Sequence, residues 1–265
     1  MNIYWHELKM SMGSMLYWTL AMLLGLLFFM MMFTAVSQDA ALINQIVRQF
    51  PPEIVRALGL STLDLSTVLG YYGYVFTFIL LLASVCILKM SISALSEEIR
   101  MKTADFLLSK PVSRNAVVTA KVISVITLLA LQTAIYLLGA LIIVNTITAQ
   151  PYNKSVFLLI NLSIFLVGLF FAGLGFLISV AVKKIKAVLP VALGTVFGFA
   201  ILQMLNQSLA DPVLAFFTPF AYFDIAKIVA AGAYERIYIF TDVVLSIFFT
   251  LLTYIIYRYK DIPSV

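Results

Sequence analysis

Six runs of apolar residues divide this chain: 15–36, 71–95, 116–147, 156–182, 187–206 and 239–257. Each is close to or above the roughly 20 residues a helix needs to cross a hydrocarbon core. The third and fourth exceed that minimum, which leaves room for tilt or for extension past the bilayer. The first follows Lys9 and ends near Ala35-Val36-Ser37, a weak cleavage pattern. Its apolar run outlasts the roughly 7–15 residues of a signal-peptide core, so it reads as a retained helix. The pattern predicts an all-α membrane protein with six transmembrane helices, forming a single transmembrane domain over 1–265.

Between the spans the pattern changes. Tyr4, Trp5, Leu8 and Met12 recur at helical spacing, with His6, Glu7 and Lys9 among them. This predicts a short N-terminal interfacial helix over 2–14, or else a ragged start to the first span. In 38–69, Leu42, Ile43, Ile46, Val47 and Phe50 keep a helical period until Pro51-Pro52, and Ile54, Val55 and Leu58 restart it. Two short amphipathic helices at the outer face are expected there, touching cargo or only capping the span ends. Residues 207–238 are too apolar for a free loop and too broken for a span. Broken backbone at membrane depth must be buried in protein or line a cavity. A re-entrant pair of short helices fits, with Pro212, Phe216, Phe217, Pro219 and Phe220 as a gate. Tyr71, Tyr72 and Tyr74, and Tyr254, Tyr257 and Tyr259, fit interfacial aromatic belts.

Charge supplies direction. With the N-terminus inside, the inner side holds twelve Lys and Arg residues and the outer side five. That bias places both termini in the cytoplasm. Composition agrees with a lipid-facing chain: it is 63% hydrophobic and 11% charged, where a soluble domain carries roughly a quarter charged residues. The net charge of +5 is spread along the chain and does not form a nucleic-acid face. Cys86 is the only cysteine and His6 the only histidine, so neither a disulfide framework nor a Cys/His metal site is expected.

One charged island stands out between the second and third spans, from Glu97 to Ser124. Glu98, Lys102, Asp105 and Ser109 share one stripe of a helix, while Ile99, Thr103, Phe106 and Leu107 lie on another side. Pro111 ends that helix by pushing Lys110 out of helical geometry. Ser113 is placed to cap the next helix. The plain reading is a solvated connector that carries the positive-inside signal. The order of residues says more. Thr103, Leu107, Leu108, Pro111, Val112, Ser113, Arg114 and Lys121 fall where type-2 ABC transporter permeases place them, and the island resembles the cytoplasmic loop of that family. Much of the family has Gly before the Thr, where this chain has Lys102. The Glu7-Leu8-Lys9 start, the six-span layout and the Pro-rich region after the fifth span extend the resemblance over nearly the whole chain.

The resemblance implies a permease subunit of an ABC exporter. Its coupling helix, between spans two and three, would dock into a separate ATPase subunit that carries ATP and Mg. The coupling residues would be Glu97, Glu98, Arg100, Thr103, Phe106, Leu107, Leu108, Pro111, Ser113 and Arg114. No Gly here is followed by Lys, so the usual phosphate loop is missing and ATP hydrolysis is expected on the partner chain. Gly194 and Gly198 on the fifth span would pack against a second copy of the permease, most simply in a homodimer. Gly168, Ala172, Gly173 and Gly175 on the fourth span fit packing within one subunit. Spans lined by Phe, Met, Leu and Tyr suit an apolar or amphipathic cargo: a peptide, an antibiotic or other drug, or a lipid. The expected location is a cytoplasmic membrane, bacterial in origin, with lipid as the surrounding partner. The alternative is a secondary transporter or channel, which usually places ionisable residues near the midplane. Here the spans offer neutral Gln132, Asn161 and Gln203, with Lys89, Lys121 and Asp242 near the ends where they can snorkel. A membrane enzyme is disfavoured because no catalytic constellation is present.

Overall fold

Helix formation follows from where this chain lacks proline and where it supplies caps. A computed structural model describes residues 3–39, 49–57, 59, 63–100, 113–182, 185–209 and 211–259; the side chains of 35, 38 and 97–100 lie outside that description. Ten helices are described: α1 (Ile3–Gln38), α2 (Pro52–Ala57), α3 (Val68–Arg100), α4 (Arg114–Ile147), α5 (Lys154–Ala181), α6 (Val188–Leu209), α7 (Pro212–Ala215), α8 (Pro219–Tyr222), α9 (Ile225–Ala231) and α10 (Arg236–Tyr259). No strand occurs among the described residues. Six of these helices, α1, α3, α4, α5, α6 and α10, are long and apolar enough to cross a membrane.

The helix starts are chemically marked. Ser113 caps α4, its hydroxyl accepting from the Ala116 amide at 3.2 Å. Asn153 caps α5 through the amides of Ser155 and Val156. Asp211 and Asp224 cap α7 and α9, each satisfying amides that the first helical turn leaves unpaired. Gly232 ends α9 at φ +66°, a left-handed conformation that costs glycine nothing.

α3 lies at the centre, packing against α1, α4, α5 and α6, and α5 in turn carries α10. The apolar stretch of α3 is 72% buried against 11% for α10, so α10 is a peripheral helix with most of its surface left for lipid or a partner. Close approach rests on small residues. A Cβ on Gly173 would meet the Ser246 carbonyl of α10 at 2.8 Å, and one on Gly175 would meet the Ser91 Cβ of α3 at 2.7 Å. The small residues of the fourth span therefore serve packing within the subunit.

Three expectations need correction. No separate interfacial helix precedes the first span: α1 runs unbroken from Ile3 to Gln38. Nothing in 3–14 breaks it, since Gly13 stands alone and no proline is present. Tyr71 and Tyr72 form no lipid-facing belt. Tyr72 is fully buried and donates to Asn161 Oδ1 at 2.8 Å, while Tyr71 donates to the Phe29 carbonyl at 2.9 Å. A buried phenol needs such a partner, and these two bonds tie α3 to α5 and α1. Tyr257 is likewise buried, whereas Tyr259 is exposed. Finally, the segment after the fifth span holds three short helices, not a pair. Of the two outer amphipathic helices expected, the second is present as α2, packed on α6. Residues 42–48 of the first lie outside the described residues.

Candidate functional site

At one end of the bundle, the junction of α3 and α4 is built around one lysine. Lys121 lies two turns into α4 and is 1% exposed. Its Nζ donates to Glu7 Oε1 of α1 at 2.6 Å and to the Ala94 carbonyl of α3 at 2.5 Å. Glu7 is buried too. Charges at this depth persist only when paired and hydrogen-bonded. A single ammonium thus joins three helices near the end of α3 and the start of α4. Lys121 was expected to snorkel from a span end and Glu7 to sit among the polar residues of an interfacial helix. Both expectations are corrected, because the unbroken α1 turns Glu7 and Leu8 into the bundle.

The coupling residues expected from the sequence divide here. Ser113 is the cap of α4. Arg114 Nη1 donates to the carbonyls of Tyr257 and Arg258 at 3.4 and 3.3 Å. It therefore binds the C-terminal turn of α10, where the helix dipole favours a cation. Glu97, Glu98 and Arg100 belong to the last turn of α3, with side chains outside the description. Thr103, Phe106, Leu107, Leu108 and Pro111 lie outside the described residues.

The opposite end carries a mainly apolar cavity of about 140 Å³ between α3, α6 and α9. Tyr74, Phe78, Met204 and Phe220 are among its apolar walls, and Gln203, Gln207 and Asp224 form its polar end. Asp224 serves twice. One oxygen caps α9, accepting from the Ala226 and Lys227 amides. The other accepts from Gln203 Nε2 and Gln207 Nε2, both at 3.3 Å. Gln203 Oε1 is buried without a hydrogen-bond partner, the kind of unspent acceptor that suits a ligand donor.

The residues expected to form a gate are split by burial. Pro219 and Phe220 are buried, and Phe220 faces the cavity. Pro212, Phe216 and Phe217 are exposed on the outside of the same segment. Tyr222 fixes the segment: it donates to the Phe216 carbonyl at 2.6 Å and stacks on Tyr238 of α10 at 5.5 Å between ring centroids. Burial pushes its phenol up to about 12, so it is a neutral donor at physiological pH. Sequence reasoning missed Asp242. It was placed near a span end, but it is fully buried on the α10 face against the bundle, and neither carboxylate oxygen has a hydrogen-bond partner. An acid at the fourth position of the apolar run 239–257 was the available signal.

On α6, a Cβ at Gly194 or Gly198 would meet nothing within 4 Å. These glycines share an exposed stripe with Phe197, Ile201, Met204 and Leu205. A search of curated proteins finds no match to the chain. A family model described as ABC-2 family transporter protein matches residues 1–256. A match of that extent, on a bundle of six apolar helices, shows that this multi-pass membrane protein belongs to the ABC-2 family of transporter permeases.

Proposed function

We propose that this chain is half of the membrane channel of an ATP-driven exporter for apolar or amphipathic molecules, powered by a separate ATPase subunit that docks at residues 97–114. ATP and Mg reside on that partner. The observation that carries this reading is the Lys121 junction. A push on the 101–112 connection acts on α3 and α4 together, because Lys121 bonds across to the Ala94 carbonyl. Glu7 passes the motion to α1, and Arg114 passes it to α10. α3 then extends to the far end of the bundle, where Tyr74 and Phe78 line the outer cavity. Work delivered at one face is thereby transmitted to a binding surface at the other. The open stripe of α6 around Gly194 and Gly198 suits a second copy of the chain, with the cargo path between the two. The cavity has apolar walls and a few amide and carboxylate groups, which fits an amphipathic peptide, drug or lipid-like molecule.

The decisive variant is Phe106→Ala with Leu107→Ala. Burying each such side chain at a docking face is worth about 1.5–3 kcal/mol. Losing both should weaken ATPase binding by orders of magnitude, since about 1.4 kcal/mol is tenfold. The double variant is expected to insert normally, to fail to co-purify its ATPase partner, and to lose transport in vesicles. Wild-type binding and transport by this variant would make the segment a mere connector.

A further inference from the structure

Near the same end as the Lys121 junction lies a second cavity, of about 420 Å³, between α1, α3 and the start of α6. Among the described residues, its polar lining is Lys89, Ser11, Ser14 and Ser93. We propose that this cavity binds the phosphate of an anionic lipid headgroup in the leaflet on that side, which the charge bias makes the cytoplasmic one.

The donors are unspent. The hydroxyls of Thr19, Ser84, Ser91, Thr133 and Ser246 all bond back to carbonyls of their own helices. Ser11 and Ser93 do not, and Ser14 only accepts from Lys89 Nζ, at 3.0 Å. That bond uses one of three ammonium donors. Lys89 is half-buried, which desolvates the charge and strengthens it toward an anion. Among the described residues, no carboxylate lines the cavity. The first turn of α6 forms another wall, with Ala187 at the position before the helix, where its side chain offers no cap. The Val188 and Leu189 amides of that turn, Pro190 having none, add positive potential to a site already defined by the lysine and three hydroxyls. A phosphate, with several acceptor oxygens and a negative charge, answers this set of donors.

The surroundings select a lipid as the carrier of the phosphate. α1 and α6 both pack on α3 without packing closely on each other. Tyr17, Leu24 and Phe28 follow Ser14 along one face of α1, and with Leu189 at the start of α6 they are exposed apolar side chains along which acyl chains can run.

The test uses native mass spectrometry of the full chain in detergent, titrated with palmitoyl-oleoyl phosphatidylglycerol or with the diacylglycerol of the same chains. The wild type should retain phosphatidylglycerol and not diacylglycerol. Lys89→Gln should bind phosphatidylglycerol about tenfold more weakly, the loss expected for charge-assisted hydrogen bonds. Lys89→Arg should keep binding. Ser11→Ala with Ser93→Ala removes two donors without touching the charge and should weaken binding even if Lys89→Gln does not fold. Equal retention of both lipids, or unchanged binding in the serine double variant, would overturn the proposal. Excess inorganic phosphate should not compete; displacement by it would make this a free-anion site and overturn the lipid assignment. No ATPase is present in the measurement, so its outcome is independent of the coupling role proposed above.

Discussion

Lys121 and Glu7 show how one residue pair sets both stability and transmission. Each is buried, and each is the other's counter-ion. Removing one partner leaves an uncompensated charge in the bundle, at a cost of about 3–5 kcal/mol. Replacing both with apolar side chains of similar size should cost far less. Lys121→Ala is therefore expected to lower the thermal midpoint in detergent sharply, and Glu7→Leu with Lys121→Met to recover most of it. Transport should remain impaired in that double variant, because the bond to the Ala94 carbonyl is gone. If stability and transport recover together, the pair is only structural. Both residues were visible in the sequence as polar letters, but their pairing was not. They are 114 positions apart, and periodicity reports a face, not what covers it. The same limit hid the burial of Tyr72 and Asp242. Each was assigned to water or to an interface because hydropathy patterns do not reveal long-range hydrogen bonds or packing.

Whole elements were far more legible. Bilayer thickness imposes a length on every span, so the six apolar runs found their helices with boundaries differing mostly by a few residues. The start of the first span moved most, because an amphipathic period does not say whether the helix breaks before the bilayer. The broken apolar pattern after the fifth span announced short helices there, and the count rises to three because the stretch before Asp224 divides at Pro219 into α7 and α8, while Asp224 starts α9 and Gly232 ends it. Glycine spacing is ambiguous at this level, and the structure separates its two uses. Gly173→Leu must displace the Ser246 backbone or α10, and overpacking of this kind costs about 1–3 kcal/mol or more. Gly198→Leu meets open space. The first should destabilise the monomer in a thermal melt. The second should leave the melt unchanged but reduce disulfide crosslinking between two chains carrying Ile201→Cys in a Cys86→Ser background. Undiminished crosslinking in Gly198→Leu would remove this stripe from the subunit interface.

At the scale of the molecule, contacts between distant segments fix which span ends lie together, and charge then chooses the side. The start of α4 meets the end of α10 through Arg114, and the start of α1 meets the end of α3 through Lys121. At the opposite end, Tyr71 bonds to the Phe29 carbonyl, Tyr234 to the Leu159 carbonyl, and Gln203 to Asp224. These pairings are what six alternating spans require. The end holding Arg114, Lys121, Lys186 and Arg258 is the cation-rich one, so it should face the cytoplasm. Single cysteines test this in a Cys86→Ser background at exposed positions. Gln150→Cys and Ala233→Cys should react with an impermeant maleimide added to intact cells. Asn115→Cys and Lys186→Cys should react only after permeabilisation. Reversed labelling would put residues 101–112 on the side without ATP and end the coupling proposal. Labelling that differed between Gln150→Cys and Ala233→Cys would contradict the alternation itself, since both follow odd numbers of spans.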